Sequence, residues 1–361
     1  ATPRGVALIS ASDGRPTQAW VLNAVENTVS LVDVSTTNNP RLIDTVVLED
    51  PTQPVVKRGR KAFETAMAST TGTFSCASCH ADGHTDQLVW VLATPIVTRG
   101  DQIQPRITMP IRGLRDTEPY HWDGIPGDPY GGVNAANADG HVPPNSDIND
   151  PTTSTLNLID GGLASTMHWV GKTNTNDEGK LGMLTAAERD DMSVFLLSVP
   201  YPPAQRRPYD NVQSDRAKEG FRLFHIEGNG GGRAGVCGDC HRLPHLVSTN
   251  HPTIGMDTPT WRGAYDRFLI LPQGRINLVT LQPFAELAEQ GIPERELWRR
   301  TWAQREAFDP VWDMVEEHST GYSGAFARQA TLNQASLAKP ISLDIVNALE
   351  QSAREEAIIL A

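Results

Sequence analysis

Two stretches, "SCASCHADGH" (Ser75 to His84) and "VCGDCHRLPH" (Val236 to His245), each set two cysteines one short loop apart with a histidine directly after. Together they use all four cysteines of the chain. A Cys-x-x-Cys pair alone suits a redox disulfide, but the βαβ context of that chemistry is missing from the surrounding pattern. Zinc sites more often separate a cysteine pair from histidine by a dozen or more residues. The adjoining histidine points elsewhere. Two such thiols can each add across one vinyl group of a porphyrin, and the next imidazole can then coordinate the iron, which is the attachment signature of c-type haem. Cys76, Cys79 and His80 are expected to hold one covalent haem c, and Cys237, Cys240 and His241 a second.

The flanks repeat with the motif. Gly59 in "RGRKAF" and Gly220 in "KEGFRLF" each lie 17 residues before the first cysteine of their copy, and Phe63 and Phe224 each lie 13 before it. Identical offsets indicate one structural unit used twice, entered through an amphipathic helix. Beyond the motifs, "MPIRGLRD" and "PTWRGAYD" align at Arg112/Arg262, Gly113/Gly263 and Asp116/Asp266. Arg112 and Arg262 are candidate partners for haem propionates, because a guanidinium fork donates two parallel hydrogen bonds; the alternative is an exposed arginine on a turn.

Each unit is expected to close with a helix. In "LTAAERDDMSVFLLSVP", Thr185 and Glu188 have the spacing of a capping box. Leu184, Met192, Phe195 and Leu196 supply its apolar face, and Pro200 ends it. "ISLDIVNALEQSAREEA" is expected to do the same for the second unit. Between the units, "VPYPPAQRRPYD" reads as a stiff proline-rich connector. The first fifty residues differ. "GVALIS", "QAWVLN", "TVSLVDV" and "LIDTVVL" are short β-type runs divided by turn residues, which predicts four antiparallel strands of the propeller-blade kind. An isolated blade leaves an apolar face and two edges bare, so it must pack on the rest of the chain, join a partner, or belong to a larger propeller. The fold class expected is mainly α: a blade-like segment (1–50), a first c-type haem domain (51–205) and a second (206–361).

Among 361 residues, 39% are hydrophobic and 20% charged, which suits a globular protein of two or three compact regions. No apolar run approaches the length of a membrane-spanning helix. The net charge of −12 disfavours a nucleic-acid partner and permits a basic one. The chain opens at Ala1 without a basic or apolar leader; an export signal is expected to have been removed, or the sequence to start inside a longer precursor. "DGIPGDPYGGVNAANADGH" (Asp123 to His141) is a candidate calcium loop by its oxygen donors, weighed against an irregular surface loop because EF-hand spacing is absent. Trp90, Trp122 and Trp261 lie near the motif segments and either meet a porphyrin or serve as ordinary core.

The runs "NAVENTVSLVDV", "RGRKAF", "FSCASCHADGHTDQLVW", "MPIRGLRDTEPYHWDG" and "LTAAERDDMSVFLLSV" resemble the bacterial dihaem cytochromes of the cytochrome c peroxidase-like superfamily, in particular members with a YVTN-type β-propeller ahead of the haem domains. The resemblance is strongest from residue 20 to 200. It implies a choice between carrier and enzyme that turns on the sixth position of each iron. For the first haem the candidates are His121, Met109, His84, Met167 and His168. His121, in "PYHWDG", is favoured by its likeness to the "HW-x-G" segment of such proteins, against a role in simple hydrogen bonding. His84 is too near His80 in the chain to reach the opposite face. For the second haem the candidates are Met314, Met256, His318, His251 and His245. Peroxidase relatives use a methionine well beyond the proximal histidine, and Met314 stands 73 residues beyond His241. A methionine on an apolar helix face is as readily core. With bis-histidine ligation at the first iron and His/Met at the second, the first has the lower potential.

The leading expectation is a dihaem electron carrier between exported redox proteins, in a bacterial periplasm or at the cell surface. The rival is a dihaem peroxidase with one open iron, for which Glu118, or His121 if it is not a ligand, would move the proton. A third reading is a subunit of an extracellular haem polymer, self-associating through the N-terminal β segment.

Overall fold

The computed structural model describes residues 3–36, 38–93, 103–121, 124–133, 141–169, 171–204, 206–227, 238, 260–267, 305–318 and 321–360. The chain divides into two compact units, Ala1–Cys79 with Ile159–Ser198, and His80–Leu158 with Val199–Ala361. The first boundary falls inside the first motif, between Cys79 and His80.

The first unit opens with a four-stranded antiparallel meander: β1 (Pro3–Ser10), β2 (Pro16–Asn23), β3 (Thr28–Asp33) and β4 (Arg41–Val47), paired in chain order. Its turns follow from their residues. Asp13 accepts the Arg15 backbone N–H at 3.0 Å in the first, and Asn27 takes the left-handed conformation (φ 55°) in the second. The register sets Trp20 opposite Leu31 and Leu22 opposite Val29. Asn23 is buried and its Nδ2 donates to Thr28 Oγ1 (3.1 Å) and Ser30 Oγ (2.8 Å). The outer strands β1 and β4 are exposed along their whole length, with Val6 at 65% and Val47 at 76%.

A helical part follows the sheet. Helix α1 (Pro54–Glu64) begins at a proline whose missing N–H costs nothing there. Next come the single turn α2 (Cys76–Cys79), α3 (Pro151–Ala164), which belongs to this unit from Ile159 onward, and α4 (Ala186–Ser198). Thr185 and Glu188 form the expected capping box: Glu188 Oε2 accepts the Thr185 N–H at 2.8 Å, and Thr185 Oγ1 accepts the Glu188 N–H at 3.3 Å. Helices α1 and α4 cross at Gly59, where a Cβ would overlap the Asp191 carbonyl and the Phe195 side chain. Arg58 clamps the crossing by a fork to Asp191 (2.6 and 2.9 Å), and Phe63 meets Phe195 at 5.5 Å between ring centroids. Arg189 is wholly buried beneath α4; it donates to the carbonyls of Leu181, Met183 and Leu184 and to Asp160 Oδ1 (2.8 Å).

The second unit carries a two-stranded ribbon, β5 (Val89–Ala93) with β6 (Ile103–Ile107). It repeats the helix crossing with α5 (Asp215–Arg222), which runs on into the π-helical turn Leu223–Glu227, and α6 (Arg305–Glu317). A Cβ on Gly220 would overlap the Pro310 carbonyl, as one on Gly59 would overlap that of Asp191. Glu317 at the end of α6 accepts from both the backbone N–H and the hydroxyl of Ser214, the N-cap of α5, at 2.8 Å each. The closing helix of the second unit is therefore α6 and not the C-terminal α7 (Pro340–Arg354), where sequence placed it. Helix α7 leaves Ile341 and Leu343 exposed and buries Leu349 and Ser352. Periodicity marks both helices as amphipathic but cannot say which of them meets Gly220.

The aligned turns also meet. Gly113 (φ 74°) and Gly263 (φ 70°) are both left-handed, and a Cβ on either would overlap the ring of Tyr201 in the proline-rich connector. The Tyr265 hydroxyl donates to the Pro202 carbonyl in the same connector. No described helix is long and apolar enough to cross a membrane.

Candidate metal centre

Cys76 and Cys79 occupy the ends of α2, both half-buried and not joined in a disulfide. The turn is fixed by its serines: Ser78 Oγ accepts the Ser75 N–H at 3.0 Å, and the Ser78 N–H donates to the Ser75 carbonyl at 3.0 Å. Burial pushes the Cys76 thiol up to about 11, so it is neutral rather than a thiolate.

His80 follows immediately. Its Nδ1–H donates to the Met109 carbonyl at 2.7 Å, which puts the ring lone pair on Nε2. Burial holds its pKa below the usual imidazole value, overriding the bond to Met109 and the nearby charge of Asp86, which act the other way. Asp86 accepts from Leu88 N–H on Oδ1 (3.0 Å) and from the Trp90 indole on Oδ2 (2.9 Å). Burial raises the Asp86 carboxyl, yet bonds from Leu88, Thr108 and Trp90 and the charge of His80 hold it below the usual range. Thr108 is buried and directly precedes Met109, so one carboxylate braces the segment that carries the His80 acceptor.

The other expected residues are placed as follows. His84 Nε2 donates to the Asp266 carbonyl at 2.7 Å, a bond to the second repeated turn and not the local one expected for it. Arg112 donates to Asp266 Oδ1 (2.9 Å) and to the Asp82 carbonyl (3.1 Å). Arg262 is half-buried, and its backbone N–H donates to Thr260 Oγ1 at 3.2 Å. Glu118 accepts from the Tyr120 hydroxyl at 3.0 Å; burial, with Glu118 adding to it, pushes the Tyr120 phenol well above its ordinary value. His121 is exposed and left-handed (φ 71°). Met167 is buried, and the Nε2 of its neighbour His168 is a buried nitrogen. Asp128, in the candidate calcium loop, accepts the backbone N–H groups of Tyr130 (2.8 Å) and Gly131 (3.0 Å) on Oδ1. Among the described residues no group of three or more His, Cys, Asp or Glu side chains gathers to hold a metal ion.

In the second copy, Cys237, Cys240, His241, His245, His251 and Met256 lie outside the described residues, as does Trp122. Met314 is 0% exposed in a core with Phe224, Trp261, Ala264, Val311 and Val315. It lies four residues beyond the carbonyl facing Gly220, as Phe195 lies four beyond the carbonyl facing Gly59. Met314 thus holds the packing position of Phe195.

A cluster that sequence did not find adjoins this core. The Trp261 indole donates to His225 Nε2 at 3.1 Å, and His318 Nδ1 donates to the Met314 carbonyl at 3.0 Å. The Phe221 ring lies 4.5 Å from that of His225 and 6.0 Å from that of His318. A Cβ on Gly238, inside the second motif, would stand 2.6 Å from His225 Nδ1. Burial lowers both imidazole pKa values, and the charge of His318 lowers that of His225 further. The only advance signal was the offset: His225 directly follows Phe224 as Glu64 follows Phe63.

No protein-family model matches the chain, and no curated protein sequence matches it. Among solved structures it is similar to hydrazine synthase of Kuenenia stuttgartiensis pressurized with 20 bar xenon, at 21% identity and a TM-score of 0.34. That likeness covers 54% of this chain and 50% of the other, so the chain spans about half its length. A similarity this low does not define a shared fold.

Proposed function

We propose that this protein is a dihaem c-type cytochrome that carries electrons between exported redox proteins, in a bacterial periplasm or at the cell surface. The observation that carries the reading is the arrangement of His80: a half-buried imidazole directly after a Cys-x-x-Cys turn, its Nδ1–H fixed on the Met109 carbonyl so that the lone pair falls on Nε2. A histidine ligand needs this tautomer and this bond behind it. The chemistry of the donors fits covalent haem: two partly accessible, unpaired thiols sit at the ends of one helical turn with an imidazole directly after them. Cys76, Cys79 and His80 would hold the first haem, and Cys237, Cys240 and His241 the second. Bound there, the group would supply a one-electron ferric/ferrous couple.

The chain's own part is to fix the imidazole through Met109 and to brace that carbonyl through Thr108 and Asp86. Arg112 and Arg262 remain candidates for propionate contacts. Glu118 is engaged by Tyr120, and that phenol is held protonated, so the carboxylate is tied as an acceptor rather than poised to shuttle a proton. This favours the carrier over the peroxidase. The exposed rims of β1 and β4 suit self-association through the N-terminal sheet.

Acid–acetone extraction and intact mass test the reading. Two haem equivalents retained on the chain are expected. A washed-out pigment, or one equivalent or fewer, overturns it.

A further inference from the structure

The two copies of the repeat differ where the cysteine turn is braced. In the first, the Ser75 N–H donates to Ser78 Oγ at 3.0 Å and the two hydroxyls lie 3.3 Å apart. The second copy has Val236 and Asp239 at those places, so the hydroxyl pair cannot form. Three more aligned places differ in the same copy. His225 stands where the first has Glu64, Gly238 where it has Ala77 and, in the repeated turn, Trp261 where it has Ile111.

Those three residues meet, all within the second compact unit. Helix α1 stops at Glu64, whereas α5 runs on through the π-helical turn Leu223–Glu227 that carries His225. The Trp261 indole N–H donates to His225 Nε2 at 3.1 Å, which leaves the proton of the neutral ring on Nδ1. Nδ1 is the atom against the second motif: a Cβ on Gly238 would stand 2.6 Å from it and 3.4 Å from Cε1 of the same ring. The imidazole has little room to step aside, because Trp261 holds it and the rings of Phe221 and Phe224 lie 4.5 and 4.8 Å from it. The space that a methyl group takes at Ala77 is given to a ring nitrogen at Gly238.

We propose that His225, held by Trp261, is the positioning residue of the second Cys-x-x-Cys turn, and that position 238 is a glycine to seat it. The indole–imidazole pair does for the second turn what the serine pair does for the first, and attachment at Cys237 and Cys240 depends on it. That attachment is an addition: each S–H adds across a vinyl C=C, sulfur to one carbon and hydrogen to the other, with no group leaving. The inference rests on the haem reading above.

The test is haem attachment in the purified protein, counted by pyridine haemochrome and located by peptide mass. His225→Leu keeps bulk but loses the acceptor; it is expected to leave Cys237 and Cys240 as free thiols while the first haem stays on Cys76 and Cys79. His225→Gln keeps an acceptor for the indole and is expected to keep both haems. Gly238→Ala is expected to lose the second haem, and in a His225→Ala background to cost nothing further, since the ring it would meet is gone. Both haems retained in His225→Leu and in Gly238→Ala overturn the inference. Equal losses in His225→Leu and His225→Gln, or loss of both haems in His225→Leu, overturn it as well. Fewer than two haems on the unmodified chain overturn the underlying haem reading instead, so the two failures are distinct.

Discussion

Arg112 pairs with Asp266, Nη1 to Oδ1 at 2.9 Å, and so joins the first repeated turn to its second copy. Both side chains are largely covered, and Arg112 also donates to the Asp82 carbonyl. Breaking a pair of this kind leaves a carboxylate with less compensation than its burial requires. Arg112→Met is expected to lower unfolding stability by about 1–3 kcal/mol, since solvent at the edge softens the full buried-pair penalty. Urea denaturation measures this; an unchanged midpoint would restrict Arg112 to a role outside the fold.

The two helix crossings give a matched pair of substitutions. Gly59→Ala and Gly220→Ala each force a methyl group onto a backbone carbonyl, which cannot step aside as a side-chain tip would. Each is expected to destabilise its own unit by about 3 kcal/mol, at the upper end for overpacking. Two separable thermal transitions would assign the losses. A variant as stable as the parent would mean that the helices do not approach so closely.

Asp86 sets a charge beside His80. Asp86→Asn removes the charge while keeping the shape of the side chain, so on the proposed haem reading an oxidised, more positive iron held by His80 would lose stabilisation. The midpoint potential of the proposed first haem is then expected to rise by roughly 40 mV, the one-electron equivalent of about 1 kcal/mol. Spectroelectrochemical titration should show one wave moving and the other staying. Two unmoved waves would confine Asp86 to bracing.

The His225 and His318 cluster makes a pH prediction. Their folded-state pKa values are lowered, by burial first, from the ordinary 6.5. The unfolded chain therefore binds more protons in the window below 6.5, and the stability this cluster contributes is present above that pH and lost as pH falls toward the folded values. Urea midpoints of the parent protein should drop between pH 7.5 and 5.5. The drop should be smaller in the His225→Gln/His318→Gln double variant. An equal drop in both would place the acid sensitivity elsewhere.

The N-terminal strands were legible because alternation and turn residues act over a few positions, and the Thr185–Glu188 cap because both partners lie within one helical turn. The repeat of Gly59 and Phe63 at Gly220 and Phe224 was legible as an offset. The choice of α6 over α7 was not, since two amphipathic helices of similar length look alike until one meets a glycine. Met314 was legible as either ligand or core, and its position at the crossing gives it the packing place of Phe195. The contact between Trp261 and His225 joins residues 36 apart in the chain, and nothing in either neighbourhood announces it.

Tyr201 gives the duplication a single keystone. Because the same edge of one ring lies against Gly113 and Gly263, an alanine at either glycine must evict that ring, and after the first eviction the second has little left to displace. The paired alanines should thus fall short of the sum of their separate effects, a non-additivity expected of neighbours that share one partner. Two turns of matching sequence are in this way a single thermodynamic element.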